Sequence, residues 1–453
     1  MLGAASLAVL AVFALGSWPW RRTSGPHASR WQSGAVVYGR GLLLGYALGL
    51  VAPSLTALAG AWWLAVAWGA VAVLVAAWRT PMAVRVRIAD VDLIGLALAG
   101  LVLLALLARV MDEPLAAWDA RSIWYFHAKV LFHADHALDQ ALWTTPAIHW
   151  SHVDYPKLNA VWAAVWTKAF AGWNEFLPKY SLFLLEVPVV LLCVGFSRAT
   201  VTRCLLLAML VLRMDPYLWN GYMDGLLASY AGLGLLYGIR YVRDGEPLDL
   251  MTVLVASGIC AGVKNEGTVV AACLLGFTLA GRVWQQRGGV PAIDWRVIAT
   301  AGYALLGPAI WSAWRASAGV TNQVAMSSGS LTRVRIRLAY GDSLASIWKA
   351  LAPTDDLVFI ALCILAAGGF WALNRQRLAD HRAAVVVGVG VPLVYLAVLT
   401  FVYLGTPFDL TWHLRTSTDR TSLVLYTCVA TGLLAPILAS DSPARVQAVD
   451  VGT

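Results

Sequence analysis

The residues able to do chemistry gather in one polar stretch, Met111 to Leu158, which reads MDEPLAAWDARSIWYFHAKVLFHADHALDQALWTTPAIHWSHVDYPKL. Asp112 and Glu113 open it, and adjacent like charges favour a carboxylate poised to take a proton. The same pair also reads as a solvated helix end before the Pro114 stop. Asp119 follows in WDARSIW and Lys129 lies in the amphipathic segment beyond it. His149, His152 and Asp154 in HWSHVDYPKL are spaced as metal ligands can be, with His133, Asp135 and His136 nearby, so a zinc or manganese ion is conceivable. The spacing matches no specific metal motif, and histidines among tryptophans also suit a membrane interface. No cofactor is expected, a divalent metal being the one candidate.

Further polar residues interrupt apolar sequence later on. Asp224 in NGYMDGLL reads as a helix N-cap or as a second catalytic acid. Lys264 and Glu266 in GVKNEGTV read equally as a structural ion pair or as an ammonium placed for an anionic ligand such as phosphate. His413, Arg415, Asp419 and Arg420 in WHLRTSTDR are dense enough for an anion site. Arg333, Arg335 and Arg337 alternate in LTRVRIRL, either to meet head groups or to solvate a loop.

The elements that must position these residues are hydrophobic helices. The chain has 453 residues, 60% hydrophobic and 13% charged, with a mean hydropathy of +0.69. Soluble domains carry about 25% charged residues, so the expected fold class is an all-α polytopic membrane protein. The net charge of +8 comes from arginines at helix ends, a positive-inside pattern that makes a nucleic-acid partner unlikely on physical grounds. The six cysteines lie in or beside apolar runs, which disfavours disulfides and thiolate zinc sites.

Runs long enough to cross a hydrocarbon core number about thirteen, at roughly 17 to 25 residues each: 2–18, 36–53, 57–77, 89–110, 180–196, 204–220, 225–239, 250–263, 268–284, 296–312, 356–373, 383–404 and 421–439. Residues 1–19 lack a basic start, and Arg21 and Arg22 follow the apolar run, so the first helix is expected to be a retained span with its N-terminus outside. The basic cluster at 78–87 belongs inside and that at 197–203 inside again, leaving room for one crossing between Met111 and Arg198. The apolar segment 157–172 is therefore expected to lie in the interface and floor the site. Parity then puts 111–179, 221–225, 264–267, 314–356 and 405–420 on one outer face. The expected division is extra helices at 1–88, a catalytic membrane domain at 89–439 with its outer loop at 111–179, and a short disordered tail at 440–453.

MDEP, WDARSIWYFHAK, HVDYP, GYMDG, GVKNEG and WHLRTSTDR, in this order and on one face, resemble the GT-C superfamily of membrane glycosyltransferases, specifically bacterial members related to protein mannosyltransferases and the lipid A aminoarabinose transferase. The resemblance covers roughly residues 89–425. It implies Asp112 as general base, Glu113 and Asp224 as assistants or acceptor ligands, and Lys264 with Arg420 holding the phosphate of a polyprenyl-phosphate sugar. Asp119, Lys129, His152, Asp154, Tyr155, Lys179, Glu266, His413 and Arg415 are the implied substrate contacts. The chain departs from the family in its helices before residue 89, in lacking a large soluble C-terminal domain, and in offering Lys179 where arginine is common, a weaker bidentate phosphate partner.

The implied reaction transfers the sugar with inversion to a hydroxyl of a cell-envelope glycan, a lipid or a protein, on the extracytoplasmic face of the cytoplasmic membrane. A carboxylate takes the acceptor proton while cations meet the charge growing on the departing phosphate. Two other classes compete. A transporter or flippase would place its charges near the midplane, often within an internal repeat, and a metallohydrolase of lipid phosphates would use the histidines.

Overall fold

The computed structural model describes residues 12, 16, 30–61, 63–64, 92–170, 172–286, 294–322, 329–373 and 382–438, and these form helices joined by turns. In chain order, the main elements are α1 (Arg30–Val51), α2 (Leu93–Asp112), a π-helical turn (Ala120–Trp124), α3 (Tyr125–Ala134), α4 (Gln140–Thr144) and a 3-10 turn (Pro146–Ser151). Then come α5 (Leu158–Ala169), α6 (Tyr180–Phe196), α7 (Thr200–Leu210), α8 (Asp224–Asp244), α9 (Pro247–Val263) and α10 (Asn265–Gln285). The chain continues with α11 (Trp295–Ser317), α12 (Ser330–Ala339), α13 (Asp342–Ala350), α14 (Thr354–Leu373), α15 (Arg382–Gly405) and α16 (Leu410–Leu438). Apart from residues 12 and 16, the expected span 2–18 with the retained first helix, most of 57–77, Arg21, Arg22, Arg79, Arg85, Arg87 and the tail 440–453 lie outside the described residues.

Among the described residues, seven helices are long and apolar enough to cross a membrane, or eight if α13 and α14, bent by 70° at their junction, count as one span. This is fewer than the thirteen expected, for three local reasons besides the undescribed segments. The 204–220 run is not one helix: α7 stops at Leu210 and gives way to a 3-10 turn at Leu212–Met214, and Pro216 disfavours helix at the residue before it. Helix α9 is apolar but has only 17 residues. Helix α8 is long enough, yet it is wrapped by α9, α10, α15 and α16 and buried along nearly its whole length. A helix shielded from lipid can carry polar groups, and α8 does: Tyr230 Oη donates to Leu185 O at 2.6 Å, Tyr237 Oη to Leu192 O at 2.9 Å and Ser229 Oγ to Leu210 O at 2.6 Å.

The segment 157–172 corrects another expectation. Helix α5 does not present one wet face; residues Leu158 to Thr167 are all buried, packed against α1, α3 and α6. Small residues on α1 make the room. A Cβ at Gly45 would stand 2.3 Å from Trp162 Cζ2, and Trp162 Nε1 reaches Leu42 O at 3.0 Å. Amphipathic surface helices occur instead at α12 and α13, which expose Leu331, Ile336, Leu338 and Trp348. Arg333 and Arg337 neither solvate a loop nor reach outward for head groups. Arg333 Nε donates to Gly405 O at 2.8 Å, and Arg337 Nη1 to Tyr403 O at 2.9 Å, Leu404 O at 3.1 Å and Thr406 O at 3.0 Å. Together they cap the carbonyl end of α15, where the helix dipole favours positive charge.

Polar bonding collects in two layers. In one, Asp92 caps α2 by accepting from Gly95 N at 2.9 Å and also takes Trp31 Nε1 at 3.0 Å and Arg203 Nη1 at 2.8 Å. Arg240, Asp249 and Gln32 close a second network in that layer. The other layer joins the turns between α2 and α6, between α7 and α8, between α9 and α10, and the start of α16. The segments that parity groups together do bond to one another.

Candidate functional site

Asp224, Lys264 and Glu266 form the centre. Asp224 is the first residue of α8 and is 2% exposed. Lys264 occupies the break between α9 and α10, extended at φ −147°, ψ 156°. Its Nζ donates to Asp224 Oδ1 at 2.9 Å and stands 3.6 Å from Glu266 Oε1. Burial opposes the charge on Lys264, but these two carboxylates hold its ammonium above the usual lysine range. Asp224 Oδ2 and Glu266 Oε2 are buried and have no hydrogen-bond partner, an arrangement that costs free energy unless a ligand supplies the donors.

Around this centre stand Asp119 and Arg420. Arg420 Nη1 donates to Asp119 Oδ2, Nη2 to Thr416 O at 3.0 Å, and the guanidinium covers the Tyr222 ring at 4.7 Å. Arg420 also lies within electrostatic reach of Asp224. Tyr217 Oη donates to Asp419 Oδ2 at 2.7 Å. Tyr155 looks onto the whole group: burial, then the charges of Glu266, Asp154, Asp224 and Asp119, push its phenol well above the usual range. Trp124 stacks on Tyr155 with ring centroids 5.0 Å apart. The loop carrying Tyr217 and Tyr222 comes this close only because Gly221, at φ +96°, has no side chain; a Cβ there would stand 2.5 Å from Ala120 Cβ.

A third group adjoins through Asn265, the residue after Lys264. Asn265 Nδ2 donates to Asp154 Oδ2 at 2.6 Å, while Arg315 Nη1 reaches Asp154 O at 3.1 Å and Asn265 Oδ1 at 3.3 Å. Asp154 is buried, which raises its carboxyl above the usual range, and its Oδ1 lacks a partner, as does His152 Nδ1. His152 adopts φ +55°, unusual for a residue with a side chain.

Behind this loop Lys157 is wholly buried, its Nζ 4.2 Å from the Trp143 ring centroid and 4.7 Å from that of Trp311. It donates to Val153 O at 3.0 Å and meets His127 Nδ1 at 3.0 Å. Ser151 Oγ gives its proton to Ile148 O at 2.6 Å, so it accepts from His127 Nε2 at 3.1 Å. That assigns the proton to Nε2 and leaves Nδ1 to accept from Lys157. Burial depresses both pKa values well below the usual ranges.

Asp112 and Glu113 sit in a neighbouring group. Asp112 is largely exposed and pairs with Arg109 at 3.5 Å, while Arg109 covers the Trp219 ring at 4.9 Å. Lys179 is buried, donates to Glu113 O at 2.8 Å and lies within electrostatic reach of both carboxylates. Lys129 makes a half-exposed pair with Glu175 at 3.7 Å. Arg415 is exposed on α16, and His413 lies against Tyr403 at 5.0 Å with its Nδ1 lacking a partner. Asp135 holds Lys168 at 2.8 Å together with Ser54 and Thr56, a structural clamp.

Of the expected residues, Asp119, Asp154, Tyr155, Asp224, Lys264, Glu266 and Arg420 therefore meet. His127, Lys157, Tyr217, Tyr222, Asn265 and Arg315 belong to the same layer and are not among the expected residues, although His127 lies in WDARSIWYFHAK, Lys157 in HWSHVDYPKL, Tyr222 in GYMDG and Asn265 in GVKNEG. Among the described residues no three His, Cys, Asp or Glu side chains are gathered as a metal ion requires. Comparison with known proteins gives no matching family model, curated protein or solved structure.

Proposed function

We propose that the chain is an inverting glycosyltransferase of the GT-C kind, moving a sugar from a polyprenyl-phosphate donor to a hydroxyl of a glycan, lipid or protein at the outer face of the cytoplasmic membrane. The observation that carries this reading is the buried Asp224 carboxylate, one oxygen held by Lys264 and the other bare, among further carboxylates and aromatic rings beside lipid-length helices. An acceptor hydroxyl donates to Asp224 Oδ2. Its oxygen then bonds to the anomeric carbon as the bond from that carbon to the phosphate oxygen breaks, and the proton passes to Asp224. Lys264 keeps Asp224 ionised until then. Tyr155, half-buried and backed by the stacked Trp124, borders the place of the sugar ring. In this reading Asp112, paired with Arg109 and largely exposed, stands at the rim, and the base is Asp224.

The test is transfer from a panel of polyprenyl-phosphate sugars by membranes holding the wild type, Asp224→Asn or Asp112→Asn at equal protein level. Loss of a general base lowers rate by about 10²–10⁴-fold, expected for Asp224→Asn and not for Asp112→Asn. Full activity in Asp224→Asn would sink the assignment of the base, and no transfer by wild type from any donor would sink the reaction.

A further inference from the structure

We propose that Arg315 is the group that receives the phosphate of a lipid-phosphate ligand, an inference that rests on the transferase reading and assigns one of its binding contacts. Most other cations of the layer are already engaged: Arg333 and Arg337 cap the end of α15, and Lys179 donates to Glu113 O within reach of the Glu113 and Asp112 carboxylates. Lys264 is neutralised by Asp224 and Glu266, Arg420 by Asp119, Lys129 by Glu175 and Lys168 by Asp135. Lys157 is enclosed by Trp143 and Trp311. A phosphate placed between Lys264 and Arg420 would meet three carboxylates, Asp224, Glu266 and Asp119, for two cations.

Arg315 sits instead beside Asp154 and Asn265. It bonds only neutral oxygens, the Asp154 carbonyl at 3.1 Å and the Asn265 side-chain carbonyl at 3.3 Å, both through Nη1, and among the described residues it forms no ion pair with a carboxylate. These two bonds fix the plane of the guanidinium while leaving its remaining N–H groups for a ligand, and a planar fork suits phosphate oxygens. Its position fits a lipid-borne anion. Arg315 lies in the last turn of α11, a span-length helix that exposes Ile298, Leu305 and Leu306 along its length. A lipid chain lying along that apolar face would bring its phosphate level with Arg315. Asn265, at the start of α10, follows Lys264 directly, so this arginine is bonded to the same turn that holds Asp224.

The experiment measures binding to the purified full chain in phosphatidylcholine nanodiscs, with a polyprenyl monophosphate, the matching polyprenol lacking phosphate, and phosphatidylglycerol as probes. Wild type should prefer the polyprenyl monophosphate to the polyprenol by about ten- to a hundredfold, the range for charge-assisted hydrogen bonds. Arg315→Gln should abolish that preference and Arg315→Lys should keep part of it. Asn265→Asp, which offers Arg315 a carboxylate without removing the arginine, should also abolish it and serves if Arg315→Gln does not fold. An undiminished preference in Arg315→Gln or Asn265→Asp overturns the inference. Displacement by equimolar phosphatidylglycerol overturns it in favour of a general head-group contact. A wild type indifferent to the phosphate overturns the transferase reading itself.

Discussion

The pair Asp224 and Lys264 shows what a buried charge demands. Removing one partner of a buried ion pair strands the other and costs about 3–5 kcal/mol, whereas replacing both with apolar groups is often neutral. Lys264→Met should therefore lower the thermal unfolding midpoint sharply, and Lys264→Met combined with Asp224→Leu and Glu266→Leu should recover much of the loss; equal or greater loss in the triple variant would contradict the pairing. His127 makes a second prediction. Its folded pKa is depressed by burial, so the unfolded chain takes up a proton below about pH 6.5 while the folded chain does not. Stability from this residue is present above that pH and falls as the pH drops toward the folded value. Unfolding midpoints measured from about pH 7.5 to 5 should decline in wild type and decline less in His127→Gln, whose amide can meet both Ser151 and Lys157. Parallel curves would show that His127 is not the group responsible.

At the scale of elements, the layer depends on helices that end where they do. Arg337 gathers the carbonyls of Tyr403, Leu404 and Thr406 at the end of α15, and α16 with Arg420 starts a few residues later. Arg337→Met should cost about 1–3 kcal/mol through unmet carbonyls, read as a lower unfolding midpoint with weaker ligand binding as α16 loses its anchor. Helix α5 depends on close approach. Gly45→Val would drive a methyl into Trp162, and overpacking of this kind costs about 1–3 kcal/mol; an unchanged midpoint would mean that α5 packs more loosely than the distances imply.

For the whole molecule, the proposed reading puts the two polar layers on opposite sides of a membrane. Asp342, at the start of α13, and Arg198, between α6 and α7, are both exposed. In a background lacking the exposed Cys204, Asp342→Cys should react with an impermeant thiol reagent added outside intact cells, and Arg198→Cys only after the membrane is opened. Reaction of both from one side would break the topology. The gathering of the polar turns was legible in part because basic residues mark helix ends and polar residues interrupt the apolar runs between them. The turns holding Asp119, Asp224, Lys264 and Arg420 fall into one group on that basis, and they do meet. The burial of α5 was not legible: a short apolar helix with lysines at its ends looks the same whether it faces lipid or protein, and the difference lay in Gly45 and Gly49 on a distant helix.

By itself the sequence determined an all-helical chain with lipid-length apolar runs and the residue types available for acid–base and anion chemistry, because those follow from composition and local periodicity. The partner of each charge was decided only in three dimensions. Lys264 and Arg420 carry the same formal charge as Arg315, and nothing local distinguishes them. Packing sets carboxylates against the first two and neutral carbonyls against the third. It likewise leaves Asp112 exposed beside Arg109 and buries Asp224 with one oxygen bare. Burial and pairing fix what a charged group can do, and both are properties of residues far apart in the chain.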